Sequence, residues 1–245
     1  MSPMPSVVVA PADSRMLFGH FHDQSSLPVK NKFFSLTELI GKNKVGWQVC
    51  FAGGHWAIFR LTPEKYHYNH LPVSGKVVDV YDIDGDFHSC NPSAVVRMVT
   101  SYSKNRRCVT VIDTDVEGGS HVGHVAMIEI VALMIGEIVQ CYSDEGYANG
   151  APVRPGQIVR RGAVKSLFRP GSSTVVLLFE PDRMAFDYDL VKNAKRNDVQ
   201  SRFSYFFGER LVETDVAVRS SIGKASTRSS SERSVVSSHI QLETS

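Results

Sequence analysis

Residues 170–179 read Pro170-Gly171-Ser172-Ser173-Thr174-Val175-Val176-Leu177-Leu178-Phe179, so a Gly-Ser peptide bond lies at the start of an apolar run. A short apolar run of this kind is typical of a β-strand. Gly171 has no side chain to block an approach to its carbonyl, and it can adopt φ and ψ values closed to other residues. The hydroxyl of Ser172 could therefore attack that carbonyl and cleave the chain. An ordinary turn before a strand uses the same residue types.

A second segment, residues 61–75, reads LTPEKYHYNHLPVSG and places two histidines among aromatic residues. Histidine suits proton transfer because its unperturbed pKa is near neutrality. On an extended strand, positions three apart point to opposite faces, so His67 and His70 address one site only if the chain bends. Pro72 makes such a bend plausible. A histidine beside aromatic residues is also often a core residue with satisfied hydrogen bonds.

Together the two segments resemble the phosphatidylserine decarboxylase family. Its members share a stretch of the form L-x-P-x-x-Y-H-x-x-H-x-P-x-x-G and a later Gly-Ser-Thr or Gly-Ser-Ser cleavage site. The segments at 123–138 and 155–162 are similar to the paired strands and the turn that precede that site in the family. The resemblance covers roughly residues 50–182, and the combination is more specific than either motif alone.

The resemblance implies that Ser172 attacks the Gly171 carbonyl, that the resulting ester breaks, and that Ser172 becomes a pyruvoyl group. One proenzyme would yield two chains, cut between Gly171 and Ser172. The pyruvoyl ketone captures a substrate amine and accepts the electron pair left by carbon dioxide, as pyridoxal phosphate does in other enzymes. The resemblance also implies that His67 is the base or proton donor, with His70 and His88 as supporting candidates.

Two positions depart from the family pattern. Lys65 stands where many members carry Asp, and a protonated lysine cannot accept a hydrogen bond from an imidazole. Glu64 could substitute for the missing carboxylate, although on an extended strand its side chain points to the face opposite that of residue 65. Lys65 could itself act as a base if desolvated. Pro92 replaces a histidine found in some members, and His88 is close enough in sequence to take over its role.

Composition limits the classes of protein that fit. A chain of 245 residues that is 42% hydrophobic can form one substantial core, and a net charge of +2 does not favour nucleic-acid binding. Four cysteines without a Cys-x-x-Cys pair indicate reduced thiols of a cytoplasmic protein. No cleaved signal peptide and no transmembrane helix are expected. His121 and His124 lack a suitably spaced carboxylate or thiolate, so no metal is expected.

Many short strands bounded by turn residues predict a mainly β or α+β fold, with an antiparallel barrel or sandwich-like core and a few peripheral helices. We expect an N-terminal segment at 1–44, a decarboxylase domain at 45–217 and a disordered Ser/Arg-rich tail at 218–245. Residues 27–40 could form an amphipathic helix for peripheral membrane contact, although that spacing also suits core packing. The pattern at 186–205 is compatible with a helix. The strands are predicted at Trp56–Phe59, Lys76–Tyr81, Cys108–Ile112, Val125–Val139 and Thr174–Phe179.

The resemblance implies conversion of phosphatidylserine to phosphatidylethanolamine. A decarboxylase of a soluble amino acid is the second reading, because relatives in the family use such substrates. A third is a scaffold that keeps the fold while Lys65 and Pro92 have disabled processing. The oligomeric state stays open, with a homodimer as one option.

Overall fold

The computed structural model describes residues 5–21, 35–89, 101–132, 137–169, 173–201 and 211–226. The helices in these ranges are α1 (Leu36–Ile40), α2 (Val45–Phe51), α3 (Ser101–Lys104) and α4 (Tyr188–Ala194). The strands are β1 (Val7–Val9), β2 (Ser14–His20), β3 (His55–Leu61), β4 (Tyr68–His70), β5 (Gly75–Ile83), β6 (Arg107–Asp113), β7 (His124–Val131), β8 (Ile138–Ser143), β9 (Ile158–Val159), β10 (Val164–Phe168), β11 (Ser173–Phe179), β12 (Met184–Phe186), β13 (Thr214–Val216) and β14 (Ser221–Ala225).

The strands form one large sheet and two small ones. The eight-stranded sheet has the order β13-β2-β3-β11-β7-β6-β5-β9, and the small sheets have the orders β4-β10-β8 and β1-β14-β12. Neighbouring strands are antiparallel throughout. The predicted mainly β, sandwich-like fold with few helices is confirmed, and within the described residues the sheets do not close into a barrel.

The apolar run that follows Thr174 forms the middle of the large sheet. β11 is buried along its whole length and pairs with β3 on one side and β7 on the other. Val175, Leu177 and Phe179 pack into the core cluster that also contains residues of the small sheets. Val176 and Leu178 face the opposite way, into a cluster with residues of α1 and α2. A strand that is covered on both faces needs no polar alternation, which explains the sequence pattern.

The five predicted strands lie within or beside observed ones, with one difference. The predicted run Val125–Val139 is divided into β7, which ends at Val131, and β8, which begins at Ile138 in another sheet. The helix-compatible pattern at 186–205 forms only the short helix α4 among the described residues.

The predicted limits of the central domain do not follow the sheets. β2, from the predicted N-terminal segment, pairs with β3 and β13 inside the large sheet. β14 lies between β1 and β12, so the prediction of disorder from residue 218 is wrong for residues 221–225. The backbone ladders on both sides of β14 stabilise a segment whose composition is polar. Residues 227–245 lie outside the described part of the chain.

The predicted amphipathic helix is only partly described, because residues 22–34 lie outside the described ranges. Its last residues form α1, where Leu39 and Ile40 are fully buried in the core. This part of the segment therefore packs inward. None of the helices in the described ranges is both long enough and apolar enough to cross a membrane.

Candidate active site

The predicted cleavage bond lies between two strands of different sheets. β10 ends at Phe168 in the sheet β4-β10-β8, and β11 begins at Ser173 in the large sheet. Gly171 and Ser172 themselves lie outside the described residues. The register places Ser173 between Leu61 of β3 and Val131 of β7. Ser173, the residue that follows the predicted cleavage bond, is therefore next to the end of β3, from which the histidine segment continues.

His67 has the hydrogen-bonding arrangement of a base. Its Nδ1 lies 2.5 Å from the carbonyl oxygen of Lys65, which can only accept, so Nδ1 carries the proton. In the neutral ring Nε2 then holds the free lone pair. Nε2 is buried and has no hydrogen-bond partner among the described residues. The carbonyl of His67 also accepts the backbone N–H of Phe168 at 3.0 Å, which ties the histidine to the strand before the cleavage bond.

Two hydroxyl groups at the start of β11 are buried without a partner in the described part of the chain. Ser173 is 2% exposed and Thr174 is fully buried, and neither side-chain oxygen makes a hydrogen bond there. Ser173 shares a sheet face with Val175, and Thr174 shares the opposite face with Val176. Buried hydroxyl groups normally find a partner, so unpaired ones beside a predicted reaction centre indicate a functional constraint.

His70 is bonded at both ring nitrogens. Nδ1–H donates to the Gly162 carbonyl at 2.9 Å, and Nε2 lies 2.9 Å from the Tyr66 hydroxyl, which donates to it. The ring is 1% exposed, and burial lowers its pKa below the usual 6.5. His70 is therefore a neutral, well-anchored histidine whose lone pair is already engaged by Tyr66.

Asp13 is a carboxylate that the sequence analysis missed. Its charge acts on His70 and favours the protonated ring, which partly opposes the effect of burial on the pKa. The backbone N–H of His70 donates to the carbonyl of Pro11 at 2.7 Å, so the segment that contains Asp13 is hydrogen-bonded to the segment that contains His70. Asp13 is 57 positions from His70 in sequence, so only the folded chain reveals the pair.

The residues considered as substitutes for the family aspartate point elsewhere. Lys65 Nζ forms an ion pair with Asp215 at 2.8 Å, so its side chain is already paired with a carboxylate. Glu64 is exposed and its carboxylate accepts the Thr62 hydroxyl at 2.6 Å. Neither geometry supports a part for these residues in proton transfer at His67.

His88 lies near the same end of the large sheet. Its Nε2 is 3.1 Å from a carboxylate oxygen of Asp86. The Asn105 amide nitrogen is 2.7 Å from the carbonyl oxygens of both His88 and Val131, and Val131 is the ladder partner of Ser173. The structure therefore connects His88 to the neighbourhood of β11 through Asn105. Pro92 lies outside the described residues.

A fully buried ion pair lies on the inner face of the large sheet, near Ser173. Lys165 and Glu129 are both completely buried, with Nζ and a carboxylate oxygen 2.5 Å apart. Gln140 bridges them, because its carbonyl accepts from Lys165 at 2.8 Å and its amide donates to Glu129 at 3.0 Å. Ser166 and Asn69 donate to the other oxygen of Glu129. Nearly every polar atom is thus satisfied, as a buried charge pair requires.

A family model described as phosphatidylserine decarboxylase matches residues 1–212. The chain belongs to the phosphatidylserine decarboxylase family. This confirms the resemblance and extends it beyond residues 50–182 in both directions.

Relatives in this family occur in bacteria, yeast and plants. The phosphatidylserine decarboxylase proenzyme of Chlamydia trachomatis serovar L2 is 35% identical over 207 residues, which are 84% of this chain and 63% of that protein. Proenzyme 3 of Schizosaccharomyces pombe is 31% identical over 192 residues, 78% of this chain and 18% of that protein. Proenzyme 2 of Oryza sativa subsp. japonica is 33% identical over 194 residues, which are 78% of this chain and 28% of that protein. The chain therefore spans less than two thirds of the length of these relatives.

In this member of the phosphatidylserine decarboxylase family, a cavity of about 160 Å³ lies beside the ladder partner of Ser173. It is smaller than the roughly 300–1,000 Å³ of pockets that take drug-sized ligands. Its walls carry both signs of charge, from arginine and carboxylate side chains. The lining residues are Asp82, Arg106, Arg107, Cys108, Val131, Glu137, Ile138 and Gln140.

Proposed function

We propose that this chain is the proenzyme of a pyruvoyl-dependent phosphatidylserine decarboxylase, which cleaves itself between Gly171 and Ser172. The observation that carries the proposal is the buried Nε2 of His67, which has no partner among the described residues and lies on a segment hydrogen-bonded to the strand that leads into this bond. Family membership supports the same reaction. The product from phosphatidylserine would be phosphatidylethanolamine and carbon dioxide.

Self-cleavage begins with Ser172. Its hydroxyl oxygen attacks the Gly171 carbonyl carbon, and Nε2 of His67 takes the hydroxyl proton. The C–N bond then breaks, and the proton returns to the nitrogen, which leaves Gly171 as an ester on the Ser172 oxygen. Loss of the Ser172 α proton expels the Gly171 carboxylate and separates the two chains. Hydrolysis of the remaining enamine releases ammonia and leaves the α-keto acyl terminus.

The residues around this terminus fit a pyruvoyl group. The group itself has only acceptor oxygens, and the hydroxyls of Ser173 and Thr174 are donors with no partner among the described residues. Once formed, a pyruvoyl group supplies an electron sink for decarboxylation. His67 holds a lone pair at Nε2 and can carry a proton to and from the reacting carbon. β11, which begins at the next residue, Ser173, is buried along its whole length.

The charged cavity beside Val131 suits the headgroup of the proposed substrate. A phosphatidylserine headgroup carries an ammonium, a carboxylate and a phosphate within a small volume. Arg106 is exposed at the cavity and has a guanidinium suited to an anionic group, whereas Arg107 already donates to the backbone carbonyls of Leu39 and Asn105. We assign Arg106 to the carboxylate or phosphate of the substrate.

Ser173 is a second candidate for the attacking hydroxyl. Its side-chain oxygen is buried and unpartnered within the described residues, and it lies on the sheet face of the Glu129–Lys165 pair. Attack by Ser173 would use the Ser172 carbonyl and would move the cut by one residue. The two alternatives give fragments that differ in mass by one serine.

Intact mass and a decarboxylation assay test the proposal together. We expect purified wild-type protein to consist of two fragments, the second with a blocked terminus, and to release carbon dioxide from phosphatidylserine vesicles. Ser172→Ala should stay a single, inactive chain. Carbon dioxide release from free amino acids alone would identify a soluble substrate, and a single uncut wild-type chain without activity would identify a scaffold.

Peripheral membrane contact, suggested by the pattern at residues 27–40, and a homodimer remain predictions. The same preparation tests both of them, by flotation with phosphatidylserine vesicles and by light scattering.

A further inference from the structure

Three side chains with different ligand atoms meet at the opposite end of β11. In the ladder between β7 and β11, Val125 pairs with Phe179, so His124 and Glu180 are opposite each other at the next position. They lie on the sheet face covered by α2, because Val125 and Phe179 face the other way. The third residue of the group, Cys50, lies near the end of α2, which covers this face of the sheet. The three residues are far apart in sequence, which is why sequence spacing did not predict a metal ligand set.

The distances suit a metal ion. The Cys50 sulfur, a ring nitrogen of His124 and a Glu180 carboxylate oxygen all lie within 4.8 Å of one another. Sγ of Cys50 is 3.6 Å from Oε1 of Glu180. Two ligands of one tetrahedral zinc ion, a thiolate and a carboxylate oxygen, are about 3.5 Å apart at the usual bond lengths. His124 Nδ1 is 2.5 Å from Oε1, so this pair must separate by somewhat less than 1 Å to admit the ion.

We propose that Cys50, His124 and Glu180 bind one divalent transition metal, with Zn²⁺ as the preferred ion. Sulfur, imidazole and carboxylate ligands are the three types that zinc uses in proteins, and three protein ligands leave the fourth position to water. A thiolate also disfavours Mg²⁺ and Ca²⁺, which prefer oxygen ligands.

The surroundings are compatible with a cation. Arg183 lies beside Glu180, but its guanidinium forms an ion pair with Asp115, which reduces its repulsion of a metal. The His124 and Glu180 side chains are 25% and 22% exposed, so an ion and a water ligand can reach them. The Trp47 ring packs against the His124 imidazole at 5.4 Å between centroids and restricts its orientation.

A glycine keeps the space behind the ligands open. Gly123 has a φ of +73°, and a Cβ atom there would lie 2.9 Å from Oε2 of Glu180. Without metal, the His124 imidazole and Cys50 thiol hydrogen-bond to Glu180 and hold the three ligands together. Metal binding releases the thiol proton to solvent, and it displaces the proton between His124 and Glu180 to solvent from an imidazolium or to Nε2 from a neutral ring.

Cobalt titration of the purified, EDTA-treated full chain tests the site. We expect one Co²⁺ per chain with a sulfur-to-cobalt charge-transfer band and the visible spectrum of tetrahedral coordination, both removed by one equivalent of Zn²⁺. Cys50→Ser should abolish the charge-transfer band. Glu180→Gln should weaken Zn²⁺ binding by more than the roughly 10–100-fold typical of outer-shell changes. Cys141→Ser, which removes another partly exposed free thiol, should leave both signals unchanged.

Thermal unfolding separates loss of binding from loss of fold. Metal-free Cys50→Ser should unfold near the temperature of the metal-free wild type, and Zn²⁺ should raise the unfolding temperature of the wild type only. An unchanged charge-transfer band in Cys50→Ser, its loss in Cys141→Ser, or no Co²⁺ binding by folded wild type would each overturn the proposal. The site lies about 20 Å along β11 from Ser173, so this result is independent of self-cleavage.

Discussion

The carbonyl oxygen of His67 accepts the backbone N–H of Phe168, so the catalytic candidate is hydrogen-bonded to the strand before the proposed cut. The bond joins the chain just before β4 to the end of β10, whose ladder places Leu167 opposite Tyr68. A base must keep a short distance to the hydroxyl that it deprotonates. The backbone, rather than a flexible side-chain contact, fixes the position of this histidine.

Adjacent serines give the most direct test of the reaction centre. We expect Ser172→Ala to block cleavage completely and Ser173→Ala to permit it, since the Ser172 hydroxyl is next to the Gly171 carbonyl. Mass spectrometry of the two fragments locates the cut to one residue. The reverse result, with cleavage lost only in Ser173→Ala and a larger fragment that ends at residue 172, would assign the attack to Ser173.

His67→Gln should slow self-cleavage by about 100-fold or more, within the range of general acid–base catalysis. Gel densitometry during expression and after purification gives the rate. His121→Asn is the control, because His121 is 59% exposed and its φ of +56° is tolerated by asparagine. A folded His70→Gln that cleaves more slowly than His67→Gln would transfer the role of base to His70, with Asp13 as its carboxylate.

His70 and His124, two of the histidines with shifted pKa values, should act on stability in opposite directions. Burial lowers the pKa of His70 below 6.5, so the unfolded chain binds more protons and stability falls as the pH drops below that value. Burial opposes the charge on His124, but the hydrogen bond and charge of Glu180 outweigh it and raise its pKa. The contribution of His124 is therefore complete below pH 6.5 and is lost as the pH rises through its folded pKa.

Urea unfolding of uncleaved Ser172→Ala in EDTA checks this pair between about pH 5 and 9. Substitution of His70 by Gln should reduce the loss of stability toward acid, and substitution of His124 by Gln should reduce the loss toward alkali. Parallel pH curves for the parent and both variants would contradict the assignment.

Removing one charge of the Lys165–Glu129 pair should lower the free energy of unfolding more than removing both charges together. Lys165→Met leaves a buried carboxylate without its cation, and we expect a loss of about 3–5 kcal/mol in the free energy of unfolding. The double variant Lys165→Met/Glu129→Gln should recover a large part of that loss. Lys76→Met, at an exposed position of β5, should change stability by less than about 0.5 kcal/mol. Additive losses in the double variant would show that the two charges are not coupled.

Sequence patterns predicted the strands that are rich in apolar and β-branched residues but not those that depend on their neighbours. The run after Thr174 could be recognised because β11 is buried on both faces. β10 contains Lys165, and β14 contains Lys224 and polar neighbours, so their patterns resemble those of loops. Ladders supplied by distant strands stabilise them, and no local pattern records such partners.

The same limit applies to the site. His67 and His70 were found because they lie within one short motif, and the fold adds that their lone pairs differ in availability. Asp13 could not be predicted as a neighbour of His70, since 57 positions separate them, and Glu129 is 60 positions from Asn69, which donates to it. Long-range register brings them together, and a single sequence carries no signal for it.

The position of β11 determines how the two fragments are held together after the proposed cut. The smaller fragment would supply β11 to β14, and the larger one would supply the strands on both sides of β11, so the two polypeptides are interleaved. They would stay together as a non-covalent complex held by continuous sheet ladders. Assembly of the uncut chain is intramolecular, but renaturation of the separated fragments becomes bimolecular and depends on concentration. The scissile bond would thus be required to build the sheet and would be dispensable once the sheet exists.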